Sequence, residues 1–227
     1  MVSASRKTGE EFKADTILGR SVGEWRRHYP IELSIYVENK IGLPILYNAE
    51  IERALAEGDD NLILVFLHDD LTLLDFFWPD TLSQWVYTFD IVGLAGSERR
   101  TPYQPTWCHI RTPTDLVIDD FAYLCGAVGF GSSFPGKISY YGKPGRECKL
   151  MDGVFLAARV GVFRRAGLRF DPDLPFHFYD MDFCRQAEIS GLRMGVAPIS
   201  AMHVSGGDYE SPEWLKCYNH YLKKWGE

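Results

Sequence analysis

The sequence predicts an α/β fold with a central, mostly parallel sheet flanked by helices, and three observations lead there. Strand-like and helix-like segments alternate along the chain. The run Leu62–Leu67 contains six apolar residues with no polar alternation, as in a strand covered on both faces. With 227 residues, 46% of them hydrophobic and 24% charged, the chain has the makeup of one globular domain with a sizeable core.

Residues 2–5 read as a short first strand. Ile31–Val37 reads as a second, running into the polar Glu38-Asn39-Lys40. A helix is expected from Pro44 to a stop at Gly58, with Tyr47, Ile51, Ala54 and Leu55 forming its buried stripe. The apolar strand 62–67 follows and delivers His68-Asp69-Asp70 to its carboxyl end, the edge where open α/β sheets bind ligands. A helix over 82–88 and a strand over 90–95 continue the alternation. Proline and glycine then dominate, so 97–150 is expected to be irregular and adapted to substrate. Regularity resumes with a strand over 153–158, a helix over 160–166 and a helix starting near Asp180 and stopping at Gly191. Strand-like pieces surround Val196 and Met202. The whole is read as a single domain, 1–227, with a ligand-binding half (about 1–96) and a reacting half (about 97–227).

The net charge of −7 argues against a nucleic-acid polymer as partner, because such binders carry a basic face. Any phosphate-bearing ligand must therefore be held against the overall charge. No apolar run is long enough to span a bilayer, and the first residues lack the apolar segment of a secretion signal. Cys108, Cys125, Cys148, Cys184 and Cys217 are scattered without a Cys-x-x-Cys pair, so reduced thiols in the cytoplasm are expected. Peripheral contact with a membrane is compatible with this composition, and the oligomeric state is unreadable.

Three clusters could carry chemistry. His68-Asp69-Asp70 reads equally as a turn and as a ligand site; neighbouring carboxylates repel unless a proton or a cation neutralises them. Asp180 and Asp182, in Tyr179-Asp-Met-Asp182, suit a helix N-terminus, as an N-cap or as acids that complement the helix dipole, while a carboxylate there that faces a cleft can act as a general base. His203 precedes Ser205-Gly206-Gly207, where glycine allows close backbone approach to a bound group.

Taken in order along the chain, these pieces resemble a family 2-type nucleotide-sugar glycosyltransferase of the GT-A fold. The matching segments are Asn48 in Leu-Tyr-Asn-Ala-Glu-Ile, Phe-Leu-His-Asp-Asp70, Met151-Asp-Gly-Val-Phe-Leu-Ala-Ala158, Phe176-His-Phe-Tyr-Asp-Met-Asp-Phe-Cys-Arg-Gln-Ala187, and His203-Val-Ser-Gly-Gly207. They extend over most of the chain, with the weakest match across 97–150. Two positions depart from the family's pattern. His68 stands where its Asp-x-Asp motif begins, and Tyr179 stands where its Glu-Asp pair places the glutamate.

The resemblance implies a metal-dependent, inverting transfer of a sugar from a nucleotide-sugar donor, UDP-linked being favoured, to a hydroxyl of a glycan or glycolipid, in polysaccharide biosynthesis. It implies Asp180 as general base, with Asp70 and His203 on Mn²⁺ or Mg²⁺. It places Ser3, Ser5, Glu38, Asn39, Asn48, His68, Asp69, Asp152 and Gly153 around the donor. A carboxylate with imidazole suits Mn²⁺ somewhat better than Mg²⁺. Two alternatives stand beside it: a non-catalytic sugar-nucleotide or glycan-binding domain, and a metal-dependent nucleotidyltransferase. The latter usually shows a glycine-rich phosphate loop, of which Ser3-Ala-Ser-Arg-Lys-Thr8 is a poor version. Among the aromatics, Tyr103, Trp107, Tyr140, Tyr141 and Trp214 are of the type that stacks on sugar faces.

Overall fold

The computed structural model describes residues 1–133 and 136–226; residues 134, 135 and 227 of the expected reacting half lie outside the described residues. The first part of the chain forms β1 (Val2–Ala4), α1 (Gly9–Asp15), α2 (Ile17–Trp25), β2 (Ser34–Tyr36), α3 (Leu43–Glu57), β3 (Ile63–Leu67), β4 (Leu71–Leu73), α4 (Trp78–Thr88), β5 (Ile91–Gly93) and β6 (Ala95–Ser97). Then come β7 (His109–Arg111), β8 (Leu116–Ile118), β9 (Leu124–Phe130), β10 (Lys137–Gly142), β11 (Glu147–Cys148), β12 (Leu150–Met151) and β13 (Phe155–Arg159). The chain closes with α5 (Val160–Ala166), α6 (Tyr179–Ile189), β14 (Met194–Val196), β15 (Ala201–His203) and α7 (Pro212–Trp225).

Local chemistry accounts for the boundaries. In α1, Thr8 and Glu11 close a reciprocal capping box, the Thr8 amide donating to Glu11 Oε2 at 2.8 Å. Pro44 sits in the first turn of α3, and Gly58 ends that helix in the left-handed region at φ 84°. Tyr47, Ile51 and Ala54 are wholly buried, as the expected stripe requires. Tyr47 packs on Phe66 of β3 with ring centroids 4.7 Å apart, and Phe170 stacks on Phe183 of α6 at 4.1 Å.

The main sheet has strand order β11-β14-β5-β13-β3-β1-β2. It is mixed rather than mostly parallel: β1–β2, β1–β3 and β5–β14 are parallel, whereas β3–β13, β5–β13 and β11–β14 are antiparallel. The correction follows from β13, which arrives from the second sheet and so inserts in the reverse direction between β3 and β5. Residues 97–150 are also more regular than expected. They supply β9, β10 and β12 to a second sheet of order β12-β6-β9-β15-β4, with β10 on β9, and they form the β7–β8 hairpin. A glycine of the stretch that suggested a loop instead permits close packing: at Gly136, φ is 63° and a Cβ would fall 2.5 Å from the Phe130 carbonyl oxygen.

Candidate functional site

The reversed strand builds the site. Because β13 runs antiparallel to β3 with Phe155 opposite Leu67, the residues before β13 lie beside those after β3. The His68 amide accordingly donates to the Val154 carbonyl at 3.2 Å. In the second sheet β15 is antiparallel to β4, with His203 opposite Leu71, so His203 stands next to Asp70. Helix α6 then docks its first turn onto Gly153, whose amide donates to Asp180 Oδ2 at 2.9 Å. Three stretches remote in sequence thus meet in one cleft of about 1040 Å³, lined by His68, Asp69, Asp70, Asp152, Gly153, Asp180 and His203.

Asp70 Oδ1 is 3.0 Å from His203 Nε2 and 4.0 Å from His68 Nδ1, and its Oδ2 accepts from the Ser205 amide at 3.1 Å. Burial opposes the Asp70 charge, yet the His203 and Ser205 hydrogen bonds outweigh it and hold the carboxyl far below its usual range. For His68, burial and then neighbouring His203 push the imidazole below its ordinary value. The three donor atoms lie within 4.8 Å of one another. Neighbouring ligands of an ion at about 2.1 Å stand roughly 3 Å apart, and opposite ones about 4 Å; the 3.0 and 4.0 Å separations of Asp70 Oδ1 from the two imidazoles match these, so the trio is one that could hold a divalent cation. A second cluster, Asp171, Asp173 and His220, is already countered by Lys224, 2.5 Å from Asp171.

Asp180 is held differently. Its Oδ1 accepts from the Met181 amide at 2.8 Å and its Oδ2 from Gly153. Burial, reinforced by the charge of Asp152, nevertheless raises its carboxyl to about 7. No aspartate stands at the N-cap of α6: that position is Phe178, in the left-handed region at φ 64° with no side-chain capping hydrogen bond, and clamped among Trp214, Tyr218 and Tyr221. Tyr179 bridges the two groups, its Oη donating to the Gly153 carbonyl at 2.8 Å and lying 3.1 Å from His68 Nε2.

Ser5 and Asn39 also line the cleft, at the β1–β2 end; Ser3, Glu38 and Asn48 do not. Ser3 is wholly buried, its side chain on the covered face of β1, and its hydroxyl has no partner among the described residues. Glu38 is exposed in a shallow depression beside Arg6 and Lys40. Asn48 is turned to Phe170, accepting from its amide at 2.9 Å and donating to its carbonyl at 2.8 Å, which ties α3 to the segment before α6. Of the aromatic candidates, Trp107, Tyr141 and Trp214 line the cleft and Tyr103 and Tyr140 do not. Sequence reasoning missed Arg6, Lys7 and Lys40, which place positive charge at the β1–β2 end, and His109, Phe176, His177 and Tyr209. Lone basic and aromatic residues in loops carry no spacing signal, although Arg6-Lys7 directly after a first strand was a usable one.

No family model matches the chain, and no curated protein matches it. Among solved structures, GalNAc-T7, whose crystal structure holds UDP, GalNAc and Mn²⁺, aligns with TM-score 0.51 and 11% identity, covering 98% of this chain and 47% of that one. A197 from STIV aligns more loosely, with TM-score 0.45 and 11% identity over 90% of this chain and 84% of that one. The likeness to GalNAc-T7 is one of fold alone: the sheets make this a mixed α/β protein, and the arrangement of the chain is GT-A-like. The chain spans about half the length of that neighbour, 47%. Among the described residues, no helix is long and apolar enough to cross a membrane.

Proposed function

We propose that this chain is a family 2-type, metal-dependent glycosyltransferase that moves a sugar from a nucleotide-sugar donor, UDP-linked being favoured, to a hydroxyl of a glycan or glycolipid acceptor. One observation carries the reading. A cation-fitting trio, His68, Asp70 and His203, and a carboxylate raised to about 7, Asp180, share a single cleft.

A nucleoside-diphosphate leaving group gains negative charge as its bond to the sugar breaks, and this chain carries a net −7. Mn²⁺ or Mg²⁺ bound by the trio would supply the compensating charge and orient the diphosphate. Arg6, Lys7 and Lys40 add positive charge at the end of the cleft formed by β1 and β2, where Ser5 and Asn39 offer hydrogen bonds to the nucleoside. Asp180, oriented by the Gly153 and Met181 amides, accepts the proton of the attacking acceptor hydroxyl. Attack on the face opposite the leaving group inverts the anomeric carbon in one displacement. Asp152 has its Oδ1 held by the Val154 amide, and its other oxygen, without a hydrogen-bond partner among the described residues, is open to a sugar hydroxyl. We assign nucleotide binding mainly to about residues 1–96 and acceptor binding and catalysis to about 97–227, and place the activity in the cytoplasm, with which five buried free cysteines accord.

The test is release of nucleoside diphosphate from a panel of UDP-, GDP- and dTDP-sugars with Mn²⁺, with and without chelator. Release that the chelator abolishes supports the reading. Binding of the donors without release from any of them makes the chain a binding module instead.

A further inference from the structure

We propose that Tyr179 is a positioning residue that locks His68 as the Nε2–H tautomer and thereby presents the Nδ1 lone pair to the cation shared with Asp70 and His203. This rests on the cation site proposed above. The two positions where the sequence departs from the family's pattern, His68 and Tyr179, are 111 residues apart and touch, Nε2 to Oη, at 3.1 Å.

Proton counting fixes the direction of that contact. A carbonyl oxygen only accepts, so the single phenolic proton of Tyr179 goes to Gly153 O, 2.8 Å away. The phenol then has only lone pairs left for His68, and Nε2 must carry the hydrogen. Nδ1 is left with a lone pair, and Asp70 does not claim it: Oδ1 lies 4.0 Å off, beyond hydrogen-bond reach. Tyr179 cannot swing away, being 2% exposed with its ring against Tyr47 and Phe170. On the other side, His68 stacks on Phe176 with ring centroids 5.8 Å apart. A histidine bound to a metal commonly donates its second N–H to a carboxylate, carbonyl or water, which sets tautomer and ring orientation. Here a tyrosine hydroxyl, itself committed to a backbone carbonyl, fills that place. Through Gly153 the same contact joins the cation trio to Asp180.

Two measurements on the full chain test this. Nitrogen-15 NMR of the metal-free wild type should show His68 protonated on Nε2 with Nδ1 bare; an Nδ1–H tautomer overturns the proposal without needing any variant. Titration with Mn²⁺ or Co²⁺ alone should show affinity falling about 10–100-fold in Tyr179→Phe, which keeps the ring packing. The Co²⁺ absorption bands should shift with it. Equal affinity and an unchanged spectrum in Tyr179→Phe overturn the positioning role while leaving the cation site standing. A wild type that binds neither ion, with or without nucleoside diphosphate, removes the cation site and this inference together.

Discussion

The Gly153 amide donates to Oδ2 of Asp180 at 2.9 Å, joining the entry to β13 to the first turn of α6 across 27 residues. The approach is so close that a Cβ at Gly153 would fall 2.5 Å from Tyr179 Oη and 2.8 Å from Asp180 Cβ. Gly153→Ala should therefore push α6 outward, lowering stability by about 1–3 kcal/mol in thermal unfolding and reducing turnover with it. Wild-type stability and rate in this variant would show that the docking tolerates displacement.

Asp180→Asn removes the proton acceptor while leaving the cation trio intact. Turnover should fall on the order of 10²–10⁴-fold with little change in donor affinity measured by calorimetry. A rate near that of the wild type takes Asp180 out of the mechanism.

The base works only when ionised, so its carboxyl, raised to about 7 by burial and then by Asp152, sets the acid limb of activity. The expected kcat/KM profile rises with pH through about 7 and levels above it. Asp152→Asn removes a neighbouring negative charge, eases ionisation of Asp180, and should move that inflection to lower pH. A flat profile between pH 5 and 8, or no movement in the variant, contradicts this.

Asn48 separates the sequence expectation from the structure most cleanly. Its amide clamps the backbone of Phe170 instead of facing the cleft. Asn48→Ala leaves a backbone pair without partners and should cost about 1–3 kcal/mol of stability, while the KM for donor stays unchanged. A specific rise in donor KM with normal stability would restore Asn48 to the binding site.

Much of the first half was legible because its signals are local. A six-residue apolar run, a proline near one end of a helix and a glycine past the other suffice for β3 and α3, which the structure places at Ile63–Leu67 and Leu43–Glu57. Two omissions had signals that were there to be read. Thr8 and Glu11 form a capping box at the start of α1, and Trp214, Cys217, Tyr218 and Tyr221 recur at helical spacing along α7. The direction of β13 was not legible, because strand polarity within a sheet depends on long-range pairing that no local pattern encodes. The same holds for the side chains: composition cannot tell that Asn48 turns to Phe170, that Ser3 is covered, or that Tyr179 reaches His68.

Diffraction from crystals soaked with Mn²⁺ and a nucleoside diphosphate, recorded at the manganese absorption edge, decides whether one cation is held beside one base in a single cleft. One anomalous peak is expected within bonding distance of Asp70, His68 and His203, lost in Asp70→Ala. A peak elsewhere, or bound nucleotide without any peak, would contradict it.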